Sequence, residues 1–137
     1  MRSPPALTRR RCAENDALIL DVLREANGPL SAYDIADRVA AKGNRVVPTQ
    51  VYRTLARLIQ QQTVVRIETL NAYIVHQAAA NICLVCRDCH MIEFVELPGI
   101  RRTIVEAAPT THFEVLSGLI EAQGQCIDCR SAHHGAA

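Results

Sequence analysis

Through the first sixty positions of the chain, apolar residues recur at helical spacing. Beyond them they gather in short extended runs. In AENDALILDVLREA, residues 13–26, the pattern predicts a helix with Leu18, Val22 and Leu23 turned toward a core. Asn27-Gly28-Pro29 ends it, since neither glycine nor proline continues a helix. SAYD opens a second helix: Ser31 with Asp34 three residues on has the spacing of a capping box. Ile35, Ala36, Val39 and Ala40 then form an apolar stripe up to Gly43, a C-cap. Pro48-Thr49 starts a third helix, in which Val51, Leu55, Leu58 and Ile59 fall at i, i+4, i+7 and i+8 on one face.

After the helices, TVVRIETLNAYIVH (residues 63–76) reads as a two-stranded hairpin turning near Leu70-Asn71. Three helices and a hairpin make the winged helix-turn-helix plan, with the third helix placed to enter a DNA major groove. Residues 77–137 repeat none of this. AANICLVC and HMIEFVE read as strands, residues 98–108 as a helix starting at Pro98, and HFEVLSGLIEAQG as a further strand. The expected fold class is therefore α+β. A winged-helix DNA-binding domain spans residues 1–76, and a small α/β domain spans 77–137.

Charge divides the chain near the same place. Residues 1–66 hold 11 Lys and Arg against 6 Asp and Glu, a balance of +5; residues 67–137 hold 4 against 8, a balance of −4. A basic half followed by an acidic half points to nucleic acid as the partner of the first. The polar face of the third helix carries Thr49, Gln50, Tyr52, Arg53, Arg57 and Gln60, donor-rich side chains suited to phosphates and base edges. Arginine and glutamine also serve solubility on any exposed helix. The order of elements and the confinement of the basic excess favour DNA here. No run approaches the roughly 18 apolar residues of a membrane span, and no apolar stretch follows the N-terminal arginines as in a signal peptide. The expectation is a cytoplasmic protein with no membrane partner, in which thiols stay reduced.

Five of six cysteines and all five histidines lie in the acidic half. Cys83, Cys86 and Cys89 come at even intervals, so two C-x-x-C pairs can be drawn. Leu84 and Val85 are β-prone, and residues three apart on a strand face opposite ways, so Cys83 and Cys86 should diverge. Arg87 and Asp88 tolerate a tight turn that would bring Cys86 and Cys89 to one ion. With Cys126-Ile-Asp-Cys129 they complete four thiolates for a structural, tetrahedral Zn2+. Buried unpaired cysteines are the plainer alternative, and less suited to two such pairs.

At this point the chain resembles the ferric uptake regulator family, and within it the zinc uptake regulator branch. The matching stretches are SAYD (31–34), TQVYRTL (49–55), IETLNAYIV (67–75), CRDC followed by IEF, and IEAQGQCIDC (120–129). The resemblance implies a homodimeric, zinc-responsive repressor that binds palindromic operator DNA and controls zinc uptake genes. Tyr52 and Arg53 would contact DNA, residues 77–137 would form the dimerisation domain, and a second, regulatory Zn2+ would join the structural one. Candidate ligands of that second site are His76, Cys83 and Glu93, with His90, Glu68 or His112 as a fourth. The family's histidine-rich stretch is reduced here to His76, and the hinge ligand falls at Val65, which cannot ligate. LTRRR (7–11) resembles a family motif set early in the chain, which suggests a flexible basic arm. The alternative within the family is a regulator answering iron, manganese or peroxide.

Enzymatic readings fit less well. His112-Phe-Glu114 before Cys126-x-x-Cys129 imitates a zinc deaminase signature. Yet only 11 residues separate Glu114 from Cys126, and Cys86 and Cys89 would go unused. A thiol oxidoreductase needs its C-x-x-C at a helix N-terminus, where neither pair is expected. No catalytic residue and no small-molecule substrate are expected.

Overall fold

Apolar spacing becomes packing in a computed structural model of the chain, which describes residues 6–114 and 119–134. The chain divides into two compact units, Met1–His76 and Gln77–Ala137.

The first unit opens with α1 (Ala6–Glu25), α2 (Ala32–Ala41) and α3 (Pro48–Gln60). Ile19, Val22 and Leu23 of α1 are buried. Leu18, expected in the core, is only half-buried. Ile19 takes its place because it lies three residues before Val22 and four before Leu23, in register with both. The backbone of residues 6–11 is helical, where LTRRR suggested an arm outside the first helix. Nothing between Ala6 and Asn27 breaks a helix, and α1 runs straight through it.

Both ends of α2 are closed by their own residues. The Ser31 hydroxyl accepts from the Asp34 N–H at 3.1 Å, and the Ser31 N–H donates to the Asp34 carboxylate at 3.3 Å. At the other end Gly43 adopts φ +85°, its N–H donates to the Ala40 carbonyl at 3.0 Å, and the Asn44 N–H donates to Val39 at 3.3 Å. That pair of bonds is a Schellman motif, which needs the left-handed residue glycine supplies. In α3 Val51, Leu55 and Leu58 are buried as spaced, while Ile59 is 37% exposed and Thr54 only 1%. The buried face is centred between Leu55 and Thr54, which leaves Ile59 at its margin.

Strands β1 (Val64–Ile67) and β2 (Ala72–Val75) pair antiparallel, Val64 opposite Val75 and Ile67 opposite Ala72. Asn71 at φ +49° closes the turn between them. Leu30 and Tyr73 exchange backbone hydrogen bonds of 2.9 and 2.8 Å, tying the loop before α2 to the hairpin. The helices and hairpin enclose one apolar cluster running from Ile19 to Tyr73.

The second unit holds β3 (Ile82–Cys86), β4 (Ile92–Val95), α4 (Ile100–Ala107), a 3-10 turn (Ala108–Thr111), β5 (Ile120–Gly124) and α5 (Ile127–His134). Strand order is β4-β3-β5, with β4 antiparallel and β5 parallel to β3. Asn81 anchors one end of this sheet. Its side-chain amide donates to the Leu97 carbonyl and accepts from the Leu97 N–H, each at 2.9 Å. Helix α4 starts two residues later than Pro98, because Gly99 at φ +84° forms the turn that precedes it. The strand expected from His112 is confined to Ile120–Gly124; Phe113 and Glu114 are not extended into it, and residues 115–118 lie outside the described residues. Residues 127–134 are helical, so Cys129 lies within a helix. No described helix is long and apolar enough to cross a membrane.

Candidate metal centre and nucleic-acid interface

The hairpin joining β3 to β4 turns over only five residues, 87–91. The Cys86 N–H donates to the Met91 carbonyl at 2.8 Å and the His90 N–H to the Cys86 carbonyl at 3.0 Å. His90 takes φ +63°, a left-handed conformation that histidine tolerates better than most residues. This turn presents Cys86 and Cys89 together. Parallel pairing carries β5 alongside β3, Cys86 opposite Gly124, so Cys126 arrives beside the turn and Cys129 follows within α5. The sulfurs of Cys86, Cys89, Cys126 and Cys129 all lie within 4.8 Å of one another. Cys89 Sγ and Cys126 Sγ are 3.6 Å apart, near the about 3.8 Å edge of a tetrahedron with metal–sulfur bonds of about 2.3 Å.

These thiols bond to one another and to the turn backbone. The Cys126 N–H donates to Cys86 Sγ at 3.3 Å. That bond, and one from the Cys89 backbone, hold the Cys86 thiol down to about 6. Cys129 is pushed up by its contacts with the thiols of Cys126 and Cys86. Four thiolates this close repel one another until a divalent ion offsets their charge. The donor set therefore fits Zn2+, which would be held by all four sulfurs in a closed, non-catalytic site. Gln125 Nε2 donates to the Asp88 carboxylate at 2.6 Å, and the Arg87 N–H to the Gly124 carbonyl at 2.9 Å. These bonds brace the two cysteine pairs against each other and were not foreseen. Their only sequence signal was the polar residue inside or before each C-x-x-C.

Two of the residues expected in the second site, Cys83 and Glu93, are not brought together within their own unit. Cys83 pairs with Phe94 across the ladder, whereas Glu93 pairs with Leu84. Successive strand residues face opposite ways, so Cys83 and Glu93 lie on opposite faces of the sheet. Cys83 is fully buried, and Glu93 and His90 are exposed. Burial, then the charge of Glu121, push the Cys83 thiol up to about 11. Among the described residues the four-cysteine cluster is the single group placed to hold an ion. His76 belongs to the first unit, half-buried, with Nδ1 3.3 Å from the Gln62 carbonyl. Cys126-x-x-Cys129 does open a helix, contrary to expectation, because residues 127–134 continue as α5. Its sulfurs nonetheless converge with the other pair.

On α3 the polar residues separate into three kinds. Thr49, Tyr52 and Arg53 are exposed. Gln50 is exposed too, but its carbonyl oxygen accepts from the Val47 N–H at 3.2 Å and so caps the helix start. Arg57 turns inward, its guanidinium 2.7 Å from Asp16 of α1 and 3.2 Å from the Thr54 hydroxyl. Asp16 was the unforeseen member; an acid on a distant helix carries no sequence signal of its partner.

Against known proteins, the ferric uptake regulator family model matches residues 8–123, most of the chain. The chain belongs to the ferric uptake regulator family. Among relatives of this family member, the zinc uptake regulation protein of Escherichia coli (strain K12) is 26% identical over 116 residues, covering 81% of this chain and 68% of its own. That of Mycobacterium tuberculosis (strain ATCC 25618 / H37Rv) is 28% identical over 124 residues, covering 88% and 95%. Among solved structures, a zinc uptake regulator complexed with zinc and DNA superposes with a TM-score of 0.78 at 23% identity, covering 94% of each chain. At that identity the likeness speaks for the fold.

Proposed function

We propose that this family member is a zinc-responsive transcriptional repressor that binds palindromic operator DNA as a homodimer and controls zinc uptake genes. The observation that carries the reading is the pairing of two parts in one chain: a winged helix whose third helix exposes Thr49, Tyr52 and Arg53, and a four-thiol centre fitted to Zn2+. Zinc uptake regulation proteins among its relatives support the metal, and the family supports the DNA. Thr49, Tyr52 and Arg53 would meet phosphates and base edges in the major groove, while Gln50 holds the helix start in shape. Two copies would present two such helices to a two-fold symmetric site. The dimer would also cover Leu84, Met91, Leu97, Val105, Phe113 and Ile127, large apolar side chains of the second unit that are exposed in the single chain. The role is regulatory rather than enzymatic, and its place is the cytoplasm, where the thiols stay reduced.

Metal sensing requires a second ion whose binding favours the DNA-competent arrangement. Of the residues first proposed for it, His76 keeps ligand character. Nδ1–H donation to the Gln62 carbonyl would fix the tautomer that leaves Nε2 with its lone pair. The separation of Cys83 from Glu93 across the sheet favours a second reading, a family member answering iron, manganese or peroxide through other residues. Metal content per subunit, measured together with DNA retention across a zinc, iron and manganese series, separates the two. The zinc reading expects one tightly held zinc, a second at higher free zinc, and DNA binding that follows the second and is lost in His76→Ala. Binding that follows iron or manganese, or ignores every metal, overturns it.

A further inference from the structure

The sequence presents Arg57 as one more DNA-facing cation on α3, and the structure turns it elsewhere. We infer that Arg57 is a positioning residue that holds α3 against α1, and that it makes no contact with phosphate or base. The inference rests on the DNA-binding reading above. On α3, Thr49, Arg53, Ala56 and Gln60 follow one another at i, i+4, i+7 and i+11 and form the stripe farthest from the buried face. Arg57 lies one step round from that stripe, next to buried Thr54. From there its guanidinium bonds Asp16 at 2.7 Å and Thr54 at 3.2 Å, spanning the seam between two helices that share the same core.

The Asp16 side chain keeps only 26% of its surface and that of Arg57 38%. Moving Arg57 onto DNA would strand the half-buried Asp16 carboxylate without its partner, and close to DNA phosphate. The pair instead offsets its own charge and gives the helix that enters the groove a fixed register on its support. Placement of the whole helix then depends on a bond that touches no nucleotide.

The sign of one substitution decides the matter. The probe is a duplex recovered by the zinc-loaded wild-type chain from a randomised pool, with affinity measured over a salt series at a temperature where every variant is folded. If Arg57 contacts phosphate, Asp16→Asn frees it and removes a repelling charge, so binding tightens. Arg57→Ala then lowers the salt slope by about 0.9 for each phosphate no longer neutralised. If Arg57 positions α3, Asp16→Asn and Arg57→Ala each weaken binding by on the order of tenfold, and the double variant is no worse than either. Their salt slopes stay as in wild type, and Asp16→Arg combined with Arg57→Asp restores affinity. Tighter binding by Asp16→Asn, or a reduced slope in Arg57→Ala, overturns the inference and leaves the DNA reading standing. Should Arg57→Ala fail to fold, Asp16→Asn and the charge swap still return opposite results under the two accounts. A wild-type chain that retains no duplex at any salt overturns both.

Discussion

Cys83 and Cys86 stand three residues apart on one strand and meet opposite environments. Strand alternation turns Cys83 into the packed face of the sheet and Cys86 toward the hairpin thiols. Cys83 is in effect a small apolar side chain. Its thiol, ordinarily near 9.0, is pushed up to about 11 by burial. The folded chain then keeps a proton that the unfolded chain releases, so this residue's contribution is intact below about pH 9 and is lost as pH rises toward 11. Denaturant unfolding across that window should show wild-type stability falling more steeply than that of Cys83→Ala. The alanine variant should be about 1–2 kcal/mol less stable at neutral pH and retain its structural zinc. Cys86→Ser should lose that zinc, measured as metal per subunit. A Cys83→Ala chain without structural zinc would return Cys83 to the ligand set.

At the scale of elements, the helices were legible because caps and apolar spacing act within a few residues. Ser31 with Asp34, and Gly43 after Ala40, could be read from the chain and close α2 as their spacing implied. Ser31→Ala should cost about 1 kcal/mol by leaving the Asp34 N–H unbonded. Gly43→Val should cost at least about 1 kcal/mol, since a β-branched residue resists φ +85°. Thermal melts of the two variants check both, and no change in Gly43→Val would mean the turn relaxes to another conformation. Longer-range choices were not legible. Arg57 turned to a bond with Asp16, decided by α1 rather than by its own helix, whereas Ile19 in place of Leu18 and Thr54 in place of Ile59 follow from spacing along their own helices. The C-terminal residues became α5 although their apolar pattern is weak; the C-x-x-C turn at its start supplies the first bend.

Over the whole molecule, apolar burial is uneven. Thirteen buried residues form the cluster of the first unit. In the second, Cys83, Val85, Cys86 and Ala108 are the buried apolar residues among those described. A unit with so small a core needs a staple, and a structural zinc supplies folding energy. Stripping the metal from the full dimer with a strong chelator should therefore unfold residues beyond about 77 and leave the first unit folded. Hydrogen exchange read along the chain checks it: protection lost in β3 and β5 but kept in α2 and α3. Equal protection of both units after complete metal removal would show that packing alone sustains the second.

The sequence by itself determined the winged-helix plan and the grouping of Cys86, Cys89, Cys126 and Cys129. Both rest on short-range physics: helical and strand periodicity, caps, and the reach of a C-x-x-C turn. Only the tertiary structure decided which side chains of those elements remain available. It buried Cys83 away from Glu93, gave Gln50 to a helix start and gave Arg57 to Asp16. The reason is common to all three. A face or a charge along a chain has no partner until another segment arrives, and the segment that arrives fixes whether the group meets solvent, ion or core.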